Sequence, residues 1–264
     1  MIDLRFSERE LKRQRDHITQ FVREQVDAAG ADGVVLGLSG GIDSTLTGNL
    51  AVEALGSDDV HGLVLPATVS SEDNMSDAER VAQDLGITYD VIEIKPIIDS
   101  LLSAYPEAEG DHEAVGNARA RVRAVMNYLV ANHEGRVVLG TGNRSEAAVG
   151  YFTKYGDGAV DCHPIGNLYK GQVRQLARHM GVPDDLVDKT ATAELWADQT
   201  DEGELGLDYE TLDSILATHI DGPLSVTATA RLLEVDEATV EEVRGLYEHS
   251  EHKRNAPPAP EPLD

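Results

Sequence analysis

A glycine-rich segment, GLSGGIDS at residues 37–44, carries the residue types of an anion-binding loop. It directly follows a short apolar run and leads into a helical stretch, so its backbone N–H groups lie at a helix start, where an anion is stabilised. Glycine lets the chain turn sharply and lets a phosphate approach the backbone, and serine hydroxyls can donate to its oxygens. The pattern predicts a phosphate site formed by Gly37, Leu38, Ser39, Gly40, Gly41, Ile42, Asp43 and Ser44.

Asp43 is the unexpected member of this loop, because a carboxylate repels a phosphate unless a cation lies between them. Magnesium is bound by carboxylate and phosphate oxygens together, so Asp43 predicts a Mg²⁺ ion that bridges the two. The loop lacks the lysine of the Walker A pattern, which disfavours the common fold for cleaving the terminal phosphate of ATP. We therefore expect a different ATP chemistry.

The elements that must position this loop alternate between strand-like and helix-like patterns. Apolar, β-branched runs predict strands over residues 34–38, 61–65, 88–94 and 136–140. Helical spacing of apolar residues predicts helices over 7–29, from Ser44 onward, and over 72–85, 96–104, 114–133, 144–150 and 170–180. This alternation predicts an α/β fold, an open and mostly parallel sheet with helices on both faces.

The carboxy-terminal third departs from the alternation, and only helices are expected after residue 180. Residues 190–208 are too polar and irregular for a regular element, and a loop of that length is typical of a functional lid. Residues 255–264, NAPPAPEPLD, form a proline-rich tail. We expect one domain over residues 1–254, although the length of 264 residues would also allow two small domains.

The charge balance excludes whole classes of partner. There are 22 basic residues against 48 acidic ones, a formal net charge of -26, which argues against nucleic acid and anionic membranes as partners. The acids are spread along the chain and only six of the basic residues are lysines, a pattern that indicates adaptation to high salt. The alternative is an ordinary acidic cytosolic protein.

The sequence contains neither a membrane-span pattern nor a signal-peptide pattern, so we expect a soluble protein of the cytoplasm. Its single cysteine, Cys162, excludes an internal disulfide and a cysteine cluster for zinc. A small buried residue is the main interpretation of Cys162, and a catalytic thiol is the alternative.

The segment SGGIDS resembles the pyrophosphate loop of the ATP pyrophosphatases, which cleave ATP between its α and β phosphates. Within that group the chain resembles the NAD synthetases, through NARARVR at 117–123, GTGNRSE at 140–146, TKYGDGAVD at 153–161, PIGNLYKGQVRQLA at 164–177, ELWADQTDEGELG at 194–206, YETLD at 209–213 and HKR at 252–254. These segments occur in order and cover nearly the whole chain. The resemblance implies the Rossmann-like, adenine nucleotide alpha hydrolase-like form of the fold.

The resemblance also implies a reaction. The carboxylate of deamido-NAD⁺ would be adenylated by ATP, releasing diphosphate, and ammonia would convert the acyl adenylate to NAD⁺ and AMP. Glutamine-using relatives carry an additional amidase domain with a cysteine nucleophile, and this sequence has neither the length nor a spare cysteine for one. We therefore expect ammonia as the nitrogen donor, and a homodimer, as is usual in the family.

Matching positions carry the family's site residues onto this sequence. Besides the loop, the implied ATP contacts are Thr141, Lys170 and Thr192. The implied magnesium ligands are Asp43 and Glu146. The implied deamido-NAD⁺ contacts are Arg121, Lys154, Asp161, His252 and Lys253. Of all these, we expect Asp43, Lys170 and Asp161 to act in catalysis, with Asp161 helping to deprotonate ammonium.

Several of these residues have plain alternatives. Arg121, with Arg119 and Arg123, fits a solvated helix face, Glu146 fits a surface helix, and His252 fits an exposed tail. The family usually has proline where this chain has Ala191, which weakens the placement of Thr192. Two other functions remain: a tRNA-modifying ATP pyrophosphatase, disfavoured by the missing basic surface, and a noncatalytic nucleotide sensor, disfavoured because both magnesium carboxylates and the dinucleotide contacts are present.

Overall fold

The computed structural model describes residues 2–67, 72–192 and 200–260, without the side chains of residues 72–76. Four strands are present: β1 Val34–Gly37, β2 Val60–Val64, β3 Thr88–Val91 and β4 Val137–Leu139. The α-helices are α1 Glu8–Ala29, α2 Ile42–Leu55, α3 Glu72–Leu85, α4 Lys95–Ala104, α5 His112–Glu134, α6 Arg144–Val149, α7 Lys170–His179, α8 Asp184–Val187, α9 Asp201–Leu205, α10 Tyr209–Ile215, α11 Val226–Leu233, α12 Glu237–His249 and α13 Glu251–Arg254. Short 3₁₀ turns precede β2 and follow α4, and a π-helical segment, Leu216–Ile220, continues α10.

The four strands form one parallel sheet in the order β3-β2-β1-β4. Val34 is paired with Val60 on one side and with Val137 on the other. The chain therefore leaves β1 toward β2 and later returns to the opposite side of β1. In open α/β sheets, the crevice at such a reversal, beyond the carboxyl ends of the strands, is where ligands bind. In this sheet the reversal lies between β1 and β4, so that crevice is at their carboxyl ends.

A further stretch lengthens the sheet beyond β4. Gly140 N donates to Cys162 O at 2.9 Å, and Asp161 N donates to Val138 O at 3.0 Å. Residues 161–162 thus run parallel to the end of β4. The loop after α6 is thereby fixed to the same carboxyl edge as the glycine-rich loop after β1.

Side chains along β1 alternate between two separate cores, as the pleat requires. Val34 and Leu36 belong to the core beneath α1, α2 and α7, whereas Val35 belongs to the core on the opposite face, with Val122 of α5. The expected helices on both faces of an open parallel sheet are therefore confirmed. A third core joins α6 with α10, α11 and α12.

Helix α1 shows how local sequence sets these elements. Ser7 is its N-cap, and its backbone N–H donates to the Glu10 carboxylate at 2.8 Å, as in a capping box. Gly30 ends the helix in the left-handed conformation at φ 62°. Its apolar stripe, which includes Ile18 and Val22, is buried in the same core as Val34 and Leu36 of β1.

Element boundaries differ from the sequence-based ones by a few residues. Helix α2 begins at Ile42 rather than Ser44, because Gly41 in an extended conformation already serves as its N-cap. Strand β3 ends at Val91 rather than residue 94. Pro66, which follows β2, has no N–H and cannot continue the ladder, although Ile94 N still donates to its carbonyl at 3.0 Å.

The expectation that residues 190–208 contain no regular element is wrong in part, because α9 lies within them. Thr200 caps its start by accepting from Gly203 N at 3.2 Å, and Gly206 ends it at φ 72°. These capping signals were readable in the sequence. Residues 193–199 of the expected lid lie outside the described residues.

The proline-rich tail has no helix or strand over residues 256–260, and residues 261–264 lie outside the described ones. None of the described helices combines the length and apolarity that a membrane span needs. The single domain over residues 1–254 stays a prediction.

Candidate functional site

A cavity of about 1100 Å³ opens at the carboxyl ends of β1 and β4. Its volume lies at the upper end of the range for small-molecule sites, which suits a large ligand or two ligands together. It is lined by the predicted site residues Gly37, Leu38, Ser39, Gly41, Ile42, Asp43, Ser44, Thr141, Glu146, Lys170, Thr192 and Lys253. Gly40 belongs to the same loop without lining the cavity, and it takes φ 74°, a conformation that favours glycine.

The glycine-rich loop is held by its own serines. Ser44 Oγ donates to Gly41 O at 3.0 Å and lies 3.1 Å from Ser39 Oγ. Gly41 N donates to Ser39 Oγ at 3.2 Å. The loop is therefore already shaped around the start of α2, where backbone N–H groups and the helix dipole favour an anion.

Lys170 lies at the centre of the site. Its Nζ is 2.5 Å from Asp43 Oδ2 and 3.1 Å from Glu146 Oε1, and the side chain is only 2% exposed. The ammonium also lies over the ring of Tyr209, 5.1 Å from its centroid. Three residues predicted separately, after β1, in α6 and in α7, thus converge on one point.

The electrostatics of this group follow from its burial. Burial, opposed by Lys170 and reinforced by Asp43, raises the pKa of Glu146 to about 7. For Lys170, burial acts to lower the pKa, but the charges of Asp43 and Glu146 outweigh it and the pKa is raised. Lys170 therefore stays cationic between the two carboxylates.

Two carboxylates at one anion site are a suitable donor set for a hard divalent cation. Asp43 and Glu146 both line the cavity that the glycine-rich loop also lines. Mg²⁺ is typically held by one or two protein carboxylates, with substrate phosphates and water filling its other positions. Within the described part of the chain, no group of three or more such ligands is present.

Three residues close to Lys170 were not predicted. Asn143 is fully buried, and its Nδ2 donates to Asp43 Oδ1 at 2.8 Å while its Oδ1 caps α6. Asp201 is 4% exposed and accepts from Tyr209 Oη at 2.9 Å. The capping-box spacing of Asn143 and Glu146 was a usable signal. Asp201 and Tyr209 gave none beyond their place in family-like segments.

A buried carboxylate fixes the helices that carry Glu146 and Lys170. Asp213 of α10 accepts from Ser145 Oγ at 2.5 Å and from Gly171 N at 2.9 Å. Ser145 Oγ in turn accepts from Lys170 N at 2.9 Å. Asp213 therefore ties α6 to the start of α7, which sets the spacing between their two charged side chains.

The predicted dinucleotide contacts lie apart from this centre. Arg121 donates to Lys154 O at 3.3 Å, and Lys154 Nζ donates to His252 O, so these three form one chain of contacts. Asp161 is separate, since its carboxylate accepts from Tyr128 Oη at 3.1 Å and from Val138 N at 2.7 Å. Arg121, Lys154, Asp161 and His252 do not line the cavity, and of the predicted dinucleotide contacts only Lys253 does.

The amino-terminal part of the 153–161 segment does reach the cavity. Asp157 lines it and accepts from Thr153 N at 3.0 Å, and Thr153 Oγ1 donates to Asn117 Oδ1 at 2.8 Å. Tyr155 takes φ 63°, a conformation that non-glycine residues seldom adopt. Asp157 was not singled out from the sequence, although it lies in a family-like segment.

Lys253 makes contacts that define the carboxy-terminal segment. Its Nζ donates to Gly150 O at 2.7 Å and to Phe152 O at 3.0 Å. Arg254 Nη1 donates to Ala148 O at 2.7 Å. These cations satisfy carbonyls at the end of α6, where a helix favours positive charge. Lys253 and Arg254 therefore attach this segment to α6, whereas His252 is exposed, as its alternative interpretation expected.

Cys162 is buried, and burial followed by the charge of Asp161 raises the pKa of its thiol to about 11. A thiol with a raised pKa is a poor nucleophile at neutral pH. This finding confirms the interpretation of Cys162 as a small buried residue.

Comparison with known proteins identifies the family. The family model described as NAD synthase matches residues 15–257. The chain is 64% identical over 259 residues to the NH(3)-dependent NAD(+) synthetase of Halobacterium salinarum, covering 98% of this chain and 97% of that protein.

Two solved structures are also similar. The NMN synthetase of Francisella tularensis superposes with a TM-score of 0.83 at 33% identity, covering 97% of this chain and 99% of that one. The NH3-dependent NAD synthetase of Campylobacter jejuni superposes with a TM-score of 0.80 at 28% identity, covering 95% and 99%. With the cavity, the glycine-rich loop and the two carboxylates in place, this agreement over the length of the chain shows that it belongs to the NAD synthase family.

Proposed function

We propose that this protein is an ammonia-dependent NAD⁺ synthetase, a carbon–nitrogen ligase that uses ATP, deamido-NAD⁺ and ammonia. One observation carries the proposal: Asp43 and Glu146 meet Lys170 on the wall of a cavity that also contains a glycine-rich anion loop. That combination suits transfer of an adenylyl group with release of diphosphate. The likeness of the chain to the synthetase of Halobacterium salinarum supports the reaction, and it supports the interpretation of the acidic composition as an adaptation to high salt.

In this mechanism the diphosphate end of ATP lies on the loop at residues 37–44, at the start of α2. The carboxylate of deamido-NAD⁺ attacks the α-phosphorus, and the bond to diphosphate breaks. Lys170 stays cationic beside the reacting phosphate and offsets charge that develops there. Ammonia then attacks the acyl carbon, the C–O bond to AMP breaks, and the attacking nitrogen loses a proton to solvent as AMP leaves. Positioning and electrostatics supply the rate enhancement, and no covalent enzyme intermediate is needed.

Asp43 and Glu146 are the residues that would hold Mg²⁺. When bound, the ion would neutralise phosphate charge and polarise the phosphoryl oxygens. In its absence Lys170 neutralises the same carboxylates, at 2.5 Å and 3.1 Å. Asn143 supports this assignment because it orients Asp43 through a hydrogen bond of 2.8 Å.

The deamido-NAD⁺ contacts Arg121, Lys154, Asp161 and His252 are part of the proposal, with Asp161 as the acceptor of a proton from ammonium. Arg121 shares one face of α5 with Val125 and Leu129, which follow at four-residue spacing and are 65% and 59% exposed.

Helix α4 packs against α5 and presents Leu101 and Tyr105, which are also exposed. Exposed apolar side chains on two packed helices, beside predicted substrate contacts, suit a second copy of the chain. We include a homodimer through this α4–α5 face in the proposal, together with the cytoplasmic location expected from the sequence.

The experiment uses purified protein in high potassium chloride with ATP, magnesium, ammonium and one acceptor at a time. Diphosphate, AMP and the amidated product are measured with deamido-NAD⁺, with nicotinate mononucleotide and without acceptor. We expect diphosphate and NAD⁺ in equal amounts with deamido-NAD⁺, and loss of both in Asp43→Ala. The mononucleotide acceptor is included because of the likeness to an NMN synthetase.

Each other outcome has a definite meaning. Preference for the mononucleotide would replace the proposed acceptor and keep the reaction type. ATP binding without acceptor-dependent diphosphate would indicate a nucleotide sensor. Equal activity in wild type and Asp43→Ala would remove the assigned metal site.

A further inference from the structure

A third lysine of the cavity, Lys189, has no role in the site described so far. It lines the cavity next to Thr190, and its Nζ is 2.5 Å from Asp77 Oδ2. The two side chains are 26% and 21% exposed, and of the two residues only Lys189 lines the cavity. The other cavity lysines are held differently: Lys170 is buried between two carboxylates, and Lys253 binds two carbonyls.

Asp77 lies in a helix that borders the cavity. Asp77 lies in α3, which packs against α2, the helix that begins at the glycine-rich loop. The next residue, Ala78, lines the cavity and belongs to the same core as Ile42 at the start of α2. A lysine side chain has four rotatable methylenes, so its ammonium can move several ångströms without backbone motion.

Asp77 would keep a partner if Lys189 left it. Arg80 Nη2 lies 3.3 Å from Asp77 Oδ1 and 2.7 Å from Asp185 Oδ2. Removing one member of an ion pair is costly mainly when the other charge is left unpaired. Arg80 removes most of that cost, so the exchange of Lys189 between partners is energetically accessible.

We propose that Lys189 is a further phosphate-binding residue of this site, held by Asp77 in the ligand-free protein and transferred to the di- or triphosphate when the nucleotide binds. This inference rests on the proposed use of ATP. An ammonium gains more from a phosphate carrying several charges than from one carboxylate that already has an arginine beside it. Asp77 is then a competitor for Lys189, and removing it favours binding.

The alternative is a fixed brace, in which the pair only joins α3 to the segment after α8. The two interpretations predict different effects of replacing Asp77 on the affinity for phosphate ligands. As a phosphate ligand, Lys189→Met weakens binding of diphosphate and of the α,β-methylene analogue of ATP about ten- to hundredfold. Asp77→Asn leaves affinity unchanged or tightens it. As a brace, both variants weaken binding to the same extent.

Binding is measured by calorimetry at one fixed potassium chloride concentration, with diphosphate and with the analogue. The matched control is a lysine–aspartate pair with the same 2.5 Å contact, Lys95 and Asp99 in α4, and neither residue lines the cavity. Lys95→Met and Asp99→Asn are expected to leave both affinities unchanged. Thermal melting of each variant shows that it is folded.

Equal affinity of Lys189→Met and wild type, or weaker binding by Asp77→Asn, overturns the inference. The Asp77 variant decides the matter alone if Lys189→Met does not fold. Failure of the wild type to bind either ligand would instead overturn the proposed function, so the two failures are distinguishable.

Discussion

The ammonium of Lys170 lies 2.5 Å from the carboxylate of Asp43, a contact between residues that are 127 positions apart in the chain. Both side chains are largely withdrawn from water, at 2% and 17% exposure. A pair of this kind adds little net stability when it is complete, but leaves a costly unpaired charge when one partner is lost. The pair therefore contributes more to the charge balance of the cavity than to the stability of the fold.

Replacement of Lys170 by methionine is expected to lower the free energy of unfolding by about 3–5 kcal/mol in the absence of divalent ions. The cause is that Asp43 and Glu146 are left together without a cation. Millimolar Mg²⁺ should restore part of the loss if these carboxylates bind the ion. Chemical denaturation with and without Mg²⁺ measures both effects. Lys12→Met, at an exposed position of α1, is the control, and a stability of Lys170→Met equal to that of wild type would contradict the prediction.

The sequence was sufficient to place the glycine-rich loop between β1 and α2 and to predict most of the fold. Strand β1, the loop and α2 could be predicted because each has a local signal: an apolar run, a cluster of glycines and the start of a helical pattern. The meeting of Glu146 with Lys170 was implied by family resemblance, since nothing local relates residues 24 positions apart across a loop. Asp201 was missed because its burial depends on Tyr209, a contact made only after α9 and α10 have packed.

The predicted ATP contacts and the predicted dinucleotide contacts lie apart, and local sequence could not show this separation. Arg121 has the spacing of a helix face, and that face turned out to carry exposed apolar residues rather than the cavity wall. Helical periodicity gives the face that a residue shares with its neighbours, but not the object that the face contacts. Three-dimensional packing was needed to distinguish the cavity from the α4–α5 face.

The raised pKa of Glu146 predicts a specific pH dependence of stability. Burial first, and then nearby carboxylates, raise this pKa from 4.5 to about 7, so the folded state favours the protonated form. The stability from Glu146 is therefore fully present below about pH 4.5 and is lost as the pH rises to about 7. Glu146→Gln remains neutral throughout. The free energy of unfolding of the variant, minus that of wild type, should rise by on the order of 2–3 kcal/mol across this window.

This difference is obtained from denaturation of both proteins at several pH values without Mg²⁺. Other buried carboxyls, such as Asp213, titrate in both proteins and cancel in the subtraction. Mg²⁺ binding needs ionised Glu146, so added Mg²⁺ should stabilise wild type more at pH 8 than at pH 5.5. A difference that does not change with pH would show that Glu146 ionises normally.

Gly150 is expected to be essential for docking of the carboxy-terminal segment. It takes φ 70°, and a Cβ there would lie 2.2 Å from Ser250 Cβ. Gly150→Ala should therefore release the Lys253 and Arg254 contacts at the end of α6. The matched control is Gly206→Ala, because Gly206 takes φ 72° with no atom near its Cβ position. The control should lose only the cost of a left-handed alanine, about 1–2 kcal/mol.

Hydrogen exchange of residues 250–254 measures this release directly. Faster exchange in Gly150→Ala, with Gly206→Ala resembling wild type at those amides, is the expected result. The KM for deamido-NAD⁺ should rise only in Gly150→Ala, because Lys253 is then displaced from the cavity. Equal behaviour of the two variants would mean that backbone conformation alone governs both positions.

The proposed homodimer predicts a strong effect of charge on the α4–α5 face. Leu129→Asp places a carboxylate at the centre of the apolar surface, where a partner copy would have to bury it unpaired. Sedimentation should then show a monomer in place of a dimer. Leu232→Asp, on exposed Leu232 of α11, is the control and should leave the assembly unchanged. A wild-type protein that sediments as a monomer at all concentrations would remove the homodimer from the proposal.

The formal charge of -26 predicts that the fold requires salt. Mutual repulsion of 48 acidic residues against 22 basic ones extends over the Debye length, about 10 Å at 0.1 M salt and about 3 Å at 1 M. Dilution from about 2 M to about 0.1 M KCl should therefore lower the melting temperature, and return to high salt should restore it. Replacing the exposed carboxylates Glu237 and Glu242 of α12 by glutamine should shift the transition to lower salt, because repulsion on that surface is reduced. Screening predicts equal midpoints for NaCl and KCl, whereas a requirement for one cation only would point to specific ion binding in place of general repulsion.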